Sequence, residues 1–294
     1  MKKHLALIAA AGILGLGGCY GSYTNPTTFT LAVADAPVDG AEHVTLAFTG
    51  VQIQPSAGNT LEYDFGAPQV VDLLQQQGDN FAVLLDNLDI AVGSYSSVTM
   101  LVDTSRSFIT LSDGSQHPLV FLGTTATSTA NVVGIKLTSG FTITDQEQAV
   151  FVADYDLRKS ISLSGTAYDF QPSVRFLDGN DIGEIEGTVS GSLTLGGVAI
   201  TDPACLPAAY VYAGNVTPVD LNPSSKVQPV NTATVHLDSI SGQYLYESEY
   251  LPPGNYTVAI VCAAGDNPAT VDALSFSTPQ QATVAANSQT EVDF

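Results

Sequence analysis

Short stretches in which every second residue is apolar recur along most of this chain. Phe29–Ala34 alternates apolar and small residues and stops at Asp35-Ala36-Pro37. In His43–Ile53 the side-chain period of two puts Val44, Leu46 and Phe48 on one face. Gly50 then permits a bulge, after which Val51 and Ile53 resume that face. Leu61–Phe65, Ser97–Val102, Phe108–Leu111, Leu119–Leu122, Val132–Leu137, Ala149–Ala153 and Ser173–Leu177 read the same way. Ser112-Asp113-Gly114 and Asp178-Gly179-Asn180-Asp181 mark turns. Val70–Gln77 reads as a strand end or a single helical turn, and residues 79–91 carry the best candidate for a short helix. Many short strands separated by turn signals predict β-sandwich architecture.

Near residue 182 the texture changes: beyond it Lys226 is the only Lys or Arg. Gly183–Gly191 opens a fresh alternation with Ile185, Val189 and Leu193 as inward positions. Ala209–Ala213, Ala233–Leu237, Gln243–Glu247, Tyr256–Cys262, Gln281–Val284 and Thr290–Phe294 follow, interrupted by a Pro/Asn/Ser-rich loop between Val216 and Gln228. The expectation is an all-β chain of two tandem sandwiches, residues 29–182 and 183–294. This length is too great for one small sandwich and suits two.

Apolar residues make up 45% of the chain, enough for real cores. With 29 acidic against 8 Lys and Arg, the formal charge is −21. Such a surface repels phosphate backbones, so nucleic acid is not an expected partner. The charge serves solubility; a saline setting or weak Ca²⁺ binding would also suit it.

The N-terminus begins Met1-Lys2-Lys3 and continues with 14 apolar or small residues, Leu5–Gly18. That is well short of the roughly 20 residues that span a bilayer, and a basic start before a short apolar run is the pattern of a secretory leader. Leu16-Gly17-Gly18-Cys19 resembles the lipobox of bacterial lipoproteins. The resemblance implies cleavage after residue 18, acylation of Cys19 with palmitate-type chains, and a polar tether over residues 19–28. More than one acyl chain gives durable anchoring. By the same family rule, Tyr20 after the cysteine favours the outer membrane, with the protein periplasmic or surface-exposed. Cys205 and Cys262 remain, and an exported chain lets them form a disulfide.

Two further resemblances concern the folded part. Gly183-Glu-Ile-Glu-Gly-Thr-Val189, Tyr244 and Leu251-Pro-Pro-Gly-Asn-Tyr-Thr-Val258 resemble the carboxypeptidase-regulatory-like (transthyretin-like) sandwiches, which implies a fold and leaves activity open. Leu31–Asp39 with Val44–Val51, Val70–Leu74, and Asp154-Tyr-Asp-Leu-Arg-Lys-Ser160 with Gln171–Asp178 resemble the DUF4382 domains of exported bacterial proteins. This implies a β-sandwich with no established activity. Val92-Gly-Ser-Tyr-Ser-Ser-Val98 also echoes Pro253-Gly-Asn-Tyr-Thr-Val258.

No nucleophile–base motif, phosphate loop or metal-ligand spacing occurs. His43, His117 and His236 are scattered, and no cofactor or catalytic residue is assigned. Asp35, Asp39 and Glu42 cluster near Pro37 and Gly40; turn chemistry accounts for them, and a Ca²⁺ loop is the alternative. Asp178–Asp181 is likewise read as a turn. Asp154, Asp156 and Arg158 are expected on one strand face, with Lys159 beside them and Arg175 on a facing strand. Two readings are open: a cross-strand ion ladder, or a polar cleft that uses these rare cations for an anionic ligand. The chain thus reads as a non-enzymatic, membrane-anchored envelope module that binds a partner protein or polysaccharide. The alternatives are an accessory hydrolase of envelope polymers, built on a carboxylate pair that includes Asp154 or Asp156, and a carbohydrate-binding protein that uses tyrosines in place of the absent Trp.

Overall fold

The computed structural model describes residues 27–36, 38, 40–77, 80–145, 148–222, 225–264, 266 and 268–294. The leader, Cys19 and Asp39 lie outside the described residues. Alternation becomes strand nearly everywhere. One sheet of the first sandwich orders Val174–Asp178, Gln148–Asp156, Thr28–Ala36 and Ala82–Asp89 side by side. Thr28–Ala36 runs parallel to Gln148–Asp156, and the other neighbours are antiparallel. Facing it is a ten-stranded sheet around the long strand Ala41–Pro55. Phe29, Leu31 and Val33 from one layer meet Leu46, Phe48, Val51 and Met100 from the other, all fully buried. Phe141, Phe151 and Phe176 pack against one another with ring centroids 4.9–5.2 Å apart, the offset and edge contacts that aromatic quadrupoles favour.

The bulge falls where glycine permits it. The pairing of Ala41–Pro55 slips between Phe48 and Gly50 against both neighbours, so Val51 and Ile53 return to the core face. A Cβ at Gly50 would sit 2.5 Å from the Tyr63 carbonyl oxygen, closer than van der Waals contact allows. Val70–Gln77 combines its two readings: a strand ends at Asp72 and a 3₁₀ turn covers Leu73–Gln75.

The helix expected over 79–91 is not formed. Ala82–Asp89 is an edge strand on Thr28–Ala36, and its pairing register shifts twice. Asn87 adopts φ of 48°, and the irregularity breaks the period of two that would have announced a strand.

The second sandwich stacks two four-stranded sheets. One orders His236–Leu237, Tyr244–Leu251, Gly183–Val189 and Gln289–Glu291; the other orders Pro229–Thr234, Pro207–Ala213, Gly254–Cys262 and Gln280–Val284. Ile185, Val211, Tyr246, Val258 and Ile260 fill the space between them. Cys205 and Cys262 are disulfide-bonded. The echoed Gly-x-Tyr segments do the same thing in both sandwiches: Tyr95 donates to the Ala91 carbonyl at 2.6 Å and Tyr256 to the Pro252 carbonyl at 2.5 Å. Each tyrosine pins a strand start to the residue four before it.

Candidate functional site

Strand alternation decides where the charged residues of the Asp154–Lys159 segment go. Ala153 and Tyr155 face the first core, so Asp154 and Asp156 point out of it. The outer face of that sheet is covered by the second sandwich. Ala32, Ala34 and Val152 pack there against Tyr250, and the polar residues beside them are buried with them.

Asp154 is 2% exposed. Its cross-strand partner is Arg175, whose Nε and Nη2 donate to Asp154 Oδ2 at 2.9 and 2.5 Å. The same guanidinium reaches the Glu249 carbonyl of the second sandwich at 3.5 Å. Burial pushes the Asp154 carboxyl up against the opposing pull of Arg175.

Arg158 does not share the strand face. The strand ends at Asp156, whose Oδ1 accepts from the Lys159 backbone N–H at 3.0 Å and opens the helical turn Leu157–Ser160. The Lys159 ammonium then lies 3.1 Å from Asp156 Oδ2 and donates to the Pro229 carbonyl at 3.0 Å. Thr232 donates to Asp156 Oδ1 at 3.4 Å. Arg158, 2% exposed, faces Tyr210 and Asp266. Burial raises the pKa of both groups, and the Arg158 charge opposes the rise. The structure thus brings together four of the five residues of the expected polar cleft, Asp154, Asp156, Lys159 and Arg175, along the seam between the sandwiches, while Arg158 turns to Tyr210 and Asp266. Lys159 and Arg175 are engaged with the chain's own acids and carbonyls.

Of the three acids of the expected Ca²⁺ loop, Asp39 lies outside the described residues. Glu42 lies exposed on the Ala41–Pro55 strand, while Asp35 is buried beside the seam. Asp35 is 6% exposed and neither carboxylate oxygen has a hydrogen-bond partner. Burial raises its pKa well above the usual carboxylate range, with the charges of Asp154 and Asp156 adding to the rise. Asp35, Asp154, Asn231, Glu247 and Glu249 line one cleft of about 350 Å³ between the sandwiches. A second, more apolar groove of about 660 Å³ runs beside it past Ala32, Phe81, Val83, Val152 and Tyr250.

Two groups of acids among the described residues are close enough to share a cation: Glu184, Glu247 and Glu249, and Asp220, Asp266 and Asp272. Sequence reading missed both. Each glutamate alone looks like the solvent side of an alternating strand, and the grouping arises when Gly183–Val189 pairs with Tyr244–Leu251.

Residues 26–172 match a family described as a domain of unknown function, DUF4382. No curated protein matches the sequence. Among solved structures, a candidate cell adhesion protein of Bacteroides fragilis is 12% identical, with 91% of this chain and 92% of that one covered and a TM-score of 0.22. The fimbrial anchor protein of Porphyromonas gingivalis is 8% identical, with 86% and 82% covered and a TM-score of 0.21. A candidate polysaccharide-binding protein of Bacteroides thetaiotaomicron is 8% identical, with 81% and 78% covered and a TM-score of 0.18.

Proposed function

We propose that this chain, which belongs to the DUF4382 family through residues 26–172, is a lipid-anchored, non-enzymatic module of the cell envelope that binds a partner protein or polysaccharide. One observation carries the non-enzymatic reading. Asp154 and Asp156, the acids a hydrolase would need, are buried and committed to Arg175 and Lys159. A general acid or base must exchange its proton with a substrate, and a carboxylate held in a buried ion pair is withdrawn from that exchange. The cations of these pairs also donate to the Pro229 and Glu249 carbonyls of the second sandwich, contacts that tie the sandwiches together, which suits a module that holds a surface at a fixed orientation.

Anchoring through Cys19 is supported by Lys2-Lys3, the short apolar run and the small residues before the cysteine. Among the described residues no helix is long and apolar enough to cross a membrane. A transthyretin-like assignment of residues 183–294 is supported by the two stacked four-stranded sheets and by the Leu251–Val258 segment, whose Tyr256 pins a strand start.

The test is mass spectrometry of the native protein from a two-membrane bacterium, with fractionation of the wild type and Cys19→Ala. The expected result is a chain that starts at an acylated Cys19 and sediments with the outer membrane, and a variant released from it. An unmodified chain that starts at Met1 and stays in the cytosol would overturn the proposal.

A further inference from the structure

Three glutamates of the second sandwich converge where the interdomain cleft meets the neighbouring groove: Glu247 and Glu249 line the cleft, and Glu184 and Glu249 line the groove. Glu184 comes from Gly183–Val189, and Glu247 and Glu249 from the adjacent antiparallel strand Tyr244–Leu251. Each offers a carboxylate oxygen, and these oxygens all lie within 4.8 Å of one another. Like charges this close raise one another's energy unless a cation or proton is shared among them.

A second observation is independent of this trio. Asp35, from the other sandwich, lines the same cleft as Glu247 and Glu249. It is 6% exposed, and neither of its oxygens accepts a hydrogen bond. Buried polar atoms are nearly always paired, so a buried carboxylate with no partner marks a place for a cation or a proton. Asn231 adds a neutral oxygen. It is 4% exposed and lines the cleft; its Nδ2 donates to the Glu249 carbonyl at 3.0 Å, and its Oδ1 has no partner.

We propose that Glu184, Glu247 and Glu249, with Asn231 Oδ1, form a binding site for a hard divalent cation, Ca²⁺, at the mouth of the interdomain cleft. The donors are all oxygens and three are anionic, the set that Ca²⁺ takes with six to eight ligands and flexible geometry. Both cysteines of the folded part are locked in the disulfide, so soft-metal ligation has no thiolate here. Asp35 lines the cleft from the first sandwich with both carboxylate oxygens unpartnered. The ion therefore sits where it attracts both sandwiches and steadies their junction. The proposal does not depend on the anchoring through Cys19.

The experiment is calorimetric titration of the full, detergent-solubilised protein with CaCl₂ and, separately, MgCl₂, together with thermal melts. The expected result is saturable Ca²⁺ binding tighter than Mg²⁺ binding, with a Tm that rises as Ca²⁺ saturates. Glu184→Gln and Glu249→Gln each weaken Ca²⁺ at least about tenfold, since each removes an anionic ligand. Glu42→Gln, on the exposed acid of the first sandwich, leaves affinity unchanged. Melts of the metal-free variants report whether they fold; neutralising crowded carboxylates favours the folded state. Three results would each overturn the site: no heat and no Tm change up to about 10 mM Ca²⁺, beyond the weakest extracellular sites; a Tm rise reproduced by NaCl at matched ionic strength; or equal affinity in the Glu184→Gln/Glu249→Gln double variant.

Discussion

Replacing Arg175 with Met keeps most of the side chain's volume and removes the charge that pairs with Asp154. The wild-type pair has two hydrogen bonds, at 2.9 and 2.5 Å, to a carboxylate that is 2% exposed, while the Arg175 side chain is 21% exposed. Breaking a buried pair by removing one partner costs about 3–5 kcal/mol. Water reaching the Arg175 side, and a proton on Asp154, moderate this to about 3 kcal/mol at pH 8. Burial already raises the Asp154 carboxyl, and losing Arg175 removes the largest opposing influence. The folded-state pKa in the variant therefore stands further above the unfolded value. A group raised in this way contributes stability below its unfolded pKa and loses it as pH climbs through the folded one. The deficit of Arg175→Met is thus smaller at pH 5 than at pH 8. Urea denaturation followed by circular dichroism at both pH values measures it. Arg175→Met/Asp154→Leu, which removes both charges, should recover most of the loss. A deficit at pH 8 below about 1 kcal/mol, the range of exposed pairs, or one equal at the two pH values, would refute the claim that this pair is a desolvated part of the seam.

The Cys205–Cys262 bond closes a sequence separation of 57 residues, and loop-closure entropy predicts that Cys205→Ala/Cys262→Ala loses about 4 kcal/mol; melts with and without reductant check this, and an unchanged Tm would count against it. Asp35, pressed by burial and by Asp154, Asp156 and Asp72, has a raised folded pKa. Its contribution to stability is full below the unfolded pKa and is lost on the alkaline side, by up to about 1.4 kcal/mol per pH unit. Asp35→Asn should flatten that slope and raise stability at pH 8, read from urea midpoints across pH; a slope unchanged in the variant would show that Asp35 does not titrate with folding. A Cβ at Gly187 would overlap the Val292 carbonyl oxygen, so Gly187→Ala should detach the C-terminal strand and lower Tm by several degrees, whereas a wild-type Tm would show that this close approach is dispensable.

What was legible in the sequence is what local periodicity controls. Alternation located the strands of both sandwiches, Gly50 located the bulge, and the repeated Gly-x-Tyr marked two equivalent strand starts. Asp154 was expected opposite a cation on a facing strand, and Arg175 holds that place. The strand Ala82–Asp89 was illegible because its register shifts break the period. Its backbone is satisfied by a neighbour some fifty residues away, which no local window contains. Glu184 and Glu249 were illegible for a related reason: their approach depends on strand register across more than sixty residues.

The seam shows why a charged motif can be read correctly as a strand face and still mislead about its environment. Period-two patterning places Asp154 and Asp156 opposite Ala153 and Tyr155, and in a single sandwich the polar face of a sheet looks at water. The second sandwich changes that. It covers the face, takes up the Lys159 ammonium with the Pro229 carbonyl and the Arg175 guanidinium with the Glu249 carbonyl, and so converts a ladder expected at the surface into a desolvated one. Burying ions is an expensive way to gain stability, since apolar residues of equal volume often do as well. Charged groups do impose direction: an apolar seam tolerates sliding, whereas the contacts of the Arg175 guanidinium with the Glu249 carbonyl and of the Lys159 ammonium with the Pro229 carbonyl cross the seam and are lost if the sandwiches shift. On that reasoning the polar seam fixes the angle between the sandwiches, and with it the cleft in which Asp35 faces the glutamates of the partner sheet.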